Sequence, residues 1–148
     1  MDTDRTVALI RKMRHDFSNH LQVISGYLEL NHPEKAQQYV TRLILDSRDE
    51  RAVFEIDKGD VILYLFEQLL NARDYGIKIS YKKIDLSSVD PLMNRNEPLN
   101  TLIKMKENDP VAELAVDVVI GTNLEQDIYI DYYADMIADS PRRLLIRK

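Results

Sequence analysis

The first thirty residues carry the pattern that most constrains the fold. Apolar side chains recur there at steps of three and four, at Ile10, Met13, Phe17, Leu21, Ile24 and Leu28. This spacing predicts a helix from about Asp4 to Leu30, with one apolar face that packs as in a coiled-coil-like bundle. Asn31-His32-Pro33 ends this helix, because proline lacks a backbone N–H and restricts the residue before it.

Pro33 is suited to open a second helix, predicted to run to about Phe54 with Ala36, Tyr39, Val40, Leu43 and Ile44 on one face. So short a turn makes the two helices antiparallel neighbours. Two helices alone cannot bury both apolar faces, so we expect a second copy to pack against them as a homodimeric four-helix bundle.

The rest of the chain predicts a small α/β unit. An apolar helix is expected over Asp60 to Tyr75, with Asp60 as N-cap and Gly76 as the stop, then a strand over residues 77–82. A helix around Leu99 to Lys106 precedes two strands, Leu114 to Ile120 and Ile128 to Tyr132, joined at Gly121-Thr122-Asn123. The prediction is an α+β protein with domains at residues 1–57 and 58–148.

Composition excludes several classes of function. The 148 residues are 45% hydrophobic and 30% charged, with a net charge of −5, which disfavours nucleic acid as the partner. The chain has no cysteine, so disulfides and thiolate chemistry are excluded. The charged N-terminus does not resemble a signal peptide and no stretch is long and apolar enough to span a membrane, so a cytoplasmic protein is expected.

His15 is the candidate for chemistry. On a helical wheel it points about 157° away from the mean direction of the apolar face, with Arg11, Asn19 and Gln22 on the same outward side. An accessible imidazole suits phosphoryl transfer, Asp16 could orient the ring, and Arg11 or Arg14 could offset the added phosphate charge. No metal ligands are predicted nearby.

Simpler interpretations stay open on the pattern alone. An exposed histidine on an amphipathic helix is usually a solvated side chain. His20 is expected to pack partly buried, and His32 to belong to the turn. Asp127, Asp131 and Asp135 form a carboxylate ladder that is expected to be a solvated face rather than a metal site.

The segment RHDFSNHLQVISGYL, residues 14–28, resembles the phosphoacceptor helix of citrate- and fumarate-type sensor histidine kinases and of the sporulation initiation phosphotransferase B family. Both carry an R-H-D-x-x-N-x-L-Q pattern whose histidine is phosphorylated, and every fixed position is present here. Residues 60–79 resemble the first helix and strand of the ATPase-type domain in the same proteins. The resemblance implies that His15 is the phosphoacceptor.

Residues 85–148 depart from that resemblance. A kinase of this superfamily needs an Asn-rich helix and an Asp-x-Gly-x-Gly loop for Mg-ATP, but Gly121 is the only glycine after Gly76. Asn94, Asn96 and Asn100 stand without the expected Asp-Asn-Ala neighbours. The domain is therefore expected to be a degenerate, ATPase-like relative that does not draw phosphate from ATP.

The predicted function is a phosphotransferase of a two-component phosphorelay, in which His15 takes a phosphoryl group from one response-regulator receiver domain and returns it to another. No cofactor is expected, because the receiver would supply Mg²⁺. Two alternatives stay open: a non-catalytic kinase-like binding module, and a fragment of a longer sensor histidine kinase.

Overall fold

A computed structural model describes residues 2–108, 111–135 and 141–148. The chain divides into two compact units, Met1–Arg48 and Asp49–Lys148. The first is helical and the second combines helices with a four-stranded sheet, so the protein is of mixed α+β class. The division falls before the boundary expected between residues 57 and 58.

The first unit is a helical hairpin of α1 (Thr3–Glu29) and most of α2 (Pro33–Asp49). Asp2 caps α1, its carboxylate accepting the Arg5 N–H at 2.7 Å. Asn31 follows the Leu30 C-cap with a left-handed φ of 59°, and the N–H groups of Asn31 and His32 donate to the carbonyls of Leu28 and Tyr27. The chain then turns directly into Pro33, as the sequence predicts.

The second predicted helix ends earlier than expected. It stops at Asp49, and a separate turn of helix, α3 (Arg51–Phe54), follows. No glycine or proline marks the break, so tertiary contacts decide it. The Glu50 carboxylate accepts a hydrogen bond from the Arg73 guanidinium at 2.6 Å, and Val53 is completely buried in the second unit.

The second unit packs helices on a mixed sheet. After α3 come α4 (Gly59–Asp74), β1 (Ile77–Ile84), α5 (Asp90–Arg95), α6 (Leu99–Asn108), β2 (Leu114–Thr122), β3 (Ile128–Tyr133) and β4 (Arg142–Ile146). The strand order is β1-β2-β3-β4, with β1 and β2 parallel and the other two pairs antiparallel. The parallel pair requires a crossover, which α5 and α6 supply.

The core of this unit lies between the sheet and α4 with α6. The apolar character of α4 predicts its burial, and Val61, Leu65 and Ala72 are completely inaccessible. Gly76 has a φ of +70° and ends α4 as predicted. Asp60, however, is not the N-cap: the helix begins at Gly59 with Lys58 as its cap, and Asp60 lies in the first turn.

The turn between β2 and β3 begins later in the chain than the sequence predicts. Gly121 is inside β2 and pairs with Tyr129, and the chain turns only after Thr122, at residues 123–127. A Cβ on Gly121 would lie 2.3 Å from the Tyr129 hydroxyl oxygen and 2.4 Å from the ring carbon that bears it. Glycine at this position leaves room for the Tyr129 ring to cross the strand, and does not form the turn.

We expect Gly121→Ala to destabilise the protein by about 1–3 kcal/mol, since the added methyl group forces Tyr129 from its place. The displaced ring would also lose the guanidinium of Arg143, which lies 4.5 Å from its centroid. Chemical denaturation measures the change. Gly59→Ala is the matched control in the same unit, because its Cβ would meet nothing within 4 Å. Equal stabilities of the two variants would contradict this assignment.

Candidate functional site

His15 lies on the outward face of α1, as predicted. Its side chain is 75% exposed. Arg11, Asn19 and Gln22, which share this side of the helix by their spacing, are all exposed. A partner domain could therefore reach the imidazole without any rearrangement of the hairpin.

The imidazole ring is approached on one nitrogen only. Its Nδ1 lies 3.4 Å from Nδ2 of Asn19, one helical turn further on, and 3.7 Å from the carboxylate oxygen Oδ1 of Asp16. The second distance is too long for a hydrogen bond, so Asp16 acts on the ring through charge in this arrangement. Both polar contacts that the described residues make are at Nδ1, so Nε2 has no polar partner among them and the side chain is exposed.

Two cations flank this ring in the sequence of the helix. Arg11 and Arg14 are exposed, and neither forms an ion pair with any residue in the described ranges. Arg11 stands one turn before His15 and Arg14 immediately before it. Their guanidinium groups are thus free to meet an anion brought to the helix, as bidentate donors to phosphate oxygens.

The apolar face predicted for α1 is present but largely uncovered within the chain. Phe17 is 65% exposed, and the other exposed members of the face are Ile10, Met13, Leu21 and Leu28. Ile44 on α2 is also exposed. A row of exposed large apolar side chains along one helix indicates an interaction surface.

The other two histidines serve the structure of the hairpin. His20 is half-buried and its Nδ1 lies 2.6 Å from the Tyr39 hydroxyl, which joins α1 to α2. His32 is exposed, and its backbone N–H donates to the Tyr27 carbonyl in the turn. Both roles agree with the sequence interpretation.

Two of the asparagines that the sequence places outside a nucleotide-binding pattern, Asn96 and Asn100, form local hydrogen bonds in the second unit. Asn96 has a left-handed φ of 51° and caps α5. Its side chain accepts from Gln68 Nε2 at 2.8 Å and donates to Asn100 Oδ1 at 3.2 Å, while Asn100 donates to the Arg95 carbonyl. These side-chain amides hold the connection between α5 and α6.

The N-terminus of α6 is filled by the protein's own side chains. Gln68 Oε1 accepts the Leu99 N–H at 2.8 Å, and Glu97 Oε2 accepts the Thr101 N–H at 3.1 Å. The N–H groups of Asn100 and Leu102 donate to the carbonyls of Asn96 and Pro98. A helix N-terminus attracts anions through such free N–H groups, and here a buried carboxylate already occupies that position.

Buried hydroxyl groups complete the surroundings of Glu97. Its carboxylate also accepts from Thr101 Oγ1 at 2.9 Å and from the Tyr132 hydroxyl at 3.3 Å. Burial raises the pKa of Tyr132 far above its ordinary value, and the nearby Glu97 charge raises it further. The phenol therefore keeps its proton and remains a donor to the carboxylate.

Two of the three aspartates in the predicted ladder are not on a solvated face, although Asp135 is exposed as predicted. Asp131 is buried and binds the Arg143 guanidinium through both oxygens, at 2.6 and 2.8 Å. Asp127 is buried and accepts the Lys148 N–H. In the described parts of the chain, no group of three His, Cys, Asp or Glu side chains is arranged to hold a metal ion.

Sequence reasoning missed Gln68 and Glu97. The sequence did carry a signal for Gln68, which is a polar residue in an otherwise apolar helix. Gln68 is completely buried, and a buried polar side chain needs hydrogen-bond partners. Glu97 precedes a proline and a helix, but only the packed fold reveals that it faces inward.

Comparison with known proteins supports the assignment of the hairpin. The family model for the alpha-helical domain of SpoOB-type sensor kinases matches residues 1–56. This match confirms the resemblance drawn from residues 14–28. No curated protein matches the chain. No helix among the described residues is long and apolar enough to cross a membrane.

Proposed function

We propose that the protein is a histidine phosphotransferase of a two-component phosphorelay, and that His15 carries the phosphoryl group between receiver-domain aspartates. The observation that carries the proposal is the exposed imidazole of His15, approached only at Nδ1, within a helix that matches the SpoOB-type family. Asp16, Asn19, Arg11, Arg14 and Gln22 form the rest of the proposed site.

The reactive tautomer would carry its proton on Nδ1, beside the Asp16 carboxylate, which leaves a lone pair on Nε2. In that tautomer the Asn19 amide would turn so that its oxygen, and not the donor Nδ2, faces Nδ1. That lone pair attacks the phosphorus of an aspartyl phosphate in line, so the N–P bond forms as the acyl P–O bond breaks. The receiver's carboxylate leaves with the electron pair. The reverse sequence delivers the group to a second receiver.

The partner supplies what this chain lacks. A receiver would bring the aspartate and a Mg²⁺ ion, which offsets the charge of the transferring group. Arg11 and Arg14 would stabilise the phosphohistidine, and Asn19 and Gln22 would contact the docked domain. The hairpin thus contributes a positioned nucleophile and a surface.

We further propose that two copies form a four-helix bundle. The exposed stripe that contains Phe17, Leu21 and Leu28 faces away from His15, so dimerisation would bury the apolar surface and keep the imidazole accessible. The expected dimer follows from the need to cover this stripe.

The second unit is proposed to be a degenerate ATPase-like domain without nucleotide chemistry. Its glycine at position 121 makes room for Tyr129, its asparagines hold α5 and α6, and the N-terminus of α6 binds Glu97. None of these groups is left to receive a triphosphate. If the chain were a fragment of an ATP-dependent sensor kinase, comparable groups would have to be available to bind the nucleotide.

His15→Ala should abolish transfer without affecting the fold, because substitutions at exposed positions usually change stability by less than about 0.5 kcal/mol. The assay incubates the protein with a radiolabelled phosphorylated receiver and follows acid-labile label. Asn19→Ala should slow transfer with little change in thermal stability. Label retained by His15→Ala would remove this residue from the mechanism, and an unlabelled wild type would favour the non-catalytic binding module.

Phe17→Asp should dissociate the dimer, since it would place a carboxylate in the apolar centre of the bundle. Analytical ultracentrifugation would detect the change in mass. Gln22→Asp, which adds the same charge to the polar side of α1, is the matched control and should remain dimeric. A wild-type chain that sediments at 17.3 kDa at micromolar concentration would contradict the bundle.

The protein should neither bind Mg-ATP tightly nor label itself from it, because the anion position at α6 is filled. Calorimetry with Mg-ATP and incubation with γ-labelled ATP test this. Micromolar affinity together with ATP-dependent labelling of His15 would overturn the phosphotransferase assignment in favour of a kinase.

A further inference from the structure

A second polar feature lies on the hairpin, in the groove between its helices. Tyr27, Lys35, Gln38, Tyr39 and Arg42 line a cleft of about 350 Å³. The Tyr27 and Tyr39 rings are tilted by 59° with centroids 6.5 Å apart, and the Arg42 guanidinium carbon lies 5.4 Å from the Tyr39 centroid. The cleft therefore has aromatic walls and two cationic groups.

The two cations of this cleft are not neutralised. Lys35 and Arg42 are exposed, and neither forms an ion pair within the described ranges. No carboxylate lines the cleft. The cleft is positively charged, although the chain as a whole has a net charge of −5. Its charge is complementary to that of an acidic ligand.

The position of Tyr39 sets the distance of the cleft from His15 along the hairpin. Tyr39 contacts His20, which lies about 7.5 Å beyond His15 along α1. Because α2 runs back beside α1, Arg42 returns about 4.5 Å towards the level of His15. Arg42 thus lies within about one helical turn of His15 along the hairpin axis.

The apolar residues indicate which side of the hairpin the cleft faces. Ile44 stands two positions after Arg42, and Phe17 two positions after His15, so each is about 200° around its helix from the polar residue. Ile44 and Phe17 are both exposed. If they turn to the same partner copy, Arg42 and His15 share the opposite side.

We infer that this cleft is a docking subsite for an acidic segment on the surface of the receiver domain that exchanges phosphate with His15. The inference rests on the proposed function. Carboxylates of the segment would pair with Lys35 and Arg42, while its carbon chains pack on Tyr27 and Tyr39. A protein segment fits better than a free anion, because the cations are exposed and an isolated anion there would stay mostly solvated.

The test uses two probes on the full chain. A glutamate-rich peptide is titrated at low salt while amide NMR shifts are followed, and a phosphorylated receiver is used for binding and label transfer. The double variant carries Lys35→Glu and Arg42→Glu together. The control is Arg48→Glu, because Arg48 is an exposed cation on the same helix but outside the cleft. A repeat titration with inorganic phosphate identifies a free-anion site.

We expect peptide-induced shifts at Tyr27, Tyr39 and Arg42, lost in the double variant and kept in Arg48→Glu. The double variant should bind the receiver about tenfold more weakly or worse, with a flatter salt dependence, yet still label at saturating receiver. Unchanged receiver affinity, absent peptide shifts, or equal competition by inorganic phosphate would each overturn the docking subsite. Peptide-induced shifts in a protein whose His15 takes up no label would support binding of an acidic segment at the cleft and contradict the proposed phosphotransferase function.

Discussion

The hairpin depends on the division of α1 into three faces. One face carries half-buried side chains such as His20 and Tyr27, which meet Tyr39 of α2. A second carries the exposed apolar stripe, and a third carries His15. A helix about 10 Å across can serve two packing surfaces and still present a polar side. The apolar residues at steps of three and four fix which sides of α1 pack against other helices. They therefore also keep the His15 imidazole on the solvent-exposed side.

The second unit depends on a different constraint, the four N–H groups that begin α6. Anion binding at a helix N-terminus needs free N–H donors, and glycines let backbone amides approach a phosphate closely. Here Gln68 and Glu97 accept two of the four N–H groups from inside the core, and leaving either of these donors unpaired would cost about 1–3 kcal/mol. Backbone carbonyls accept the other two. The same polar groups that stabilise the fold therefore occupy N–H donors that an anion at the start of α6 would need.

The sequence was sufficient where local signals were strong. The spacing in α1, the Asn31–Pro33 turn, the burial of α4 and the stop at Gly76 all follow from periodicity and backbone chemistry. The break at Glu50, the buried pair of Asp131 with Arg143, and β4 depend on contacts between distant parts of the chain. Gly121 shows the difference most clearly. Its position between two alternating segments predicts a turn, but the Tyr129 ring, which no local pattern announces, explains it.

The proposed site follows the same rule. His15 could be found from the sequence because one helix displays it with its neighbours at fixed intervals. Lys35 and Arg42 could not be found in this way, because only the folded hairpin shows that they line one cleft with the Tyr27 and Tyr39 rings. If both surfaces meet one receiver, they would act on different quantities: Lys35 and Arg42 on the lifetime and salt dependence of the encounter, His15 on the chemical step. A phosphorelay intermediate needs that separation, since it must exchange phosphate with two receivers through one nucleophile and can vary affinity only at positions away from the ring.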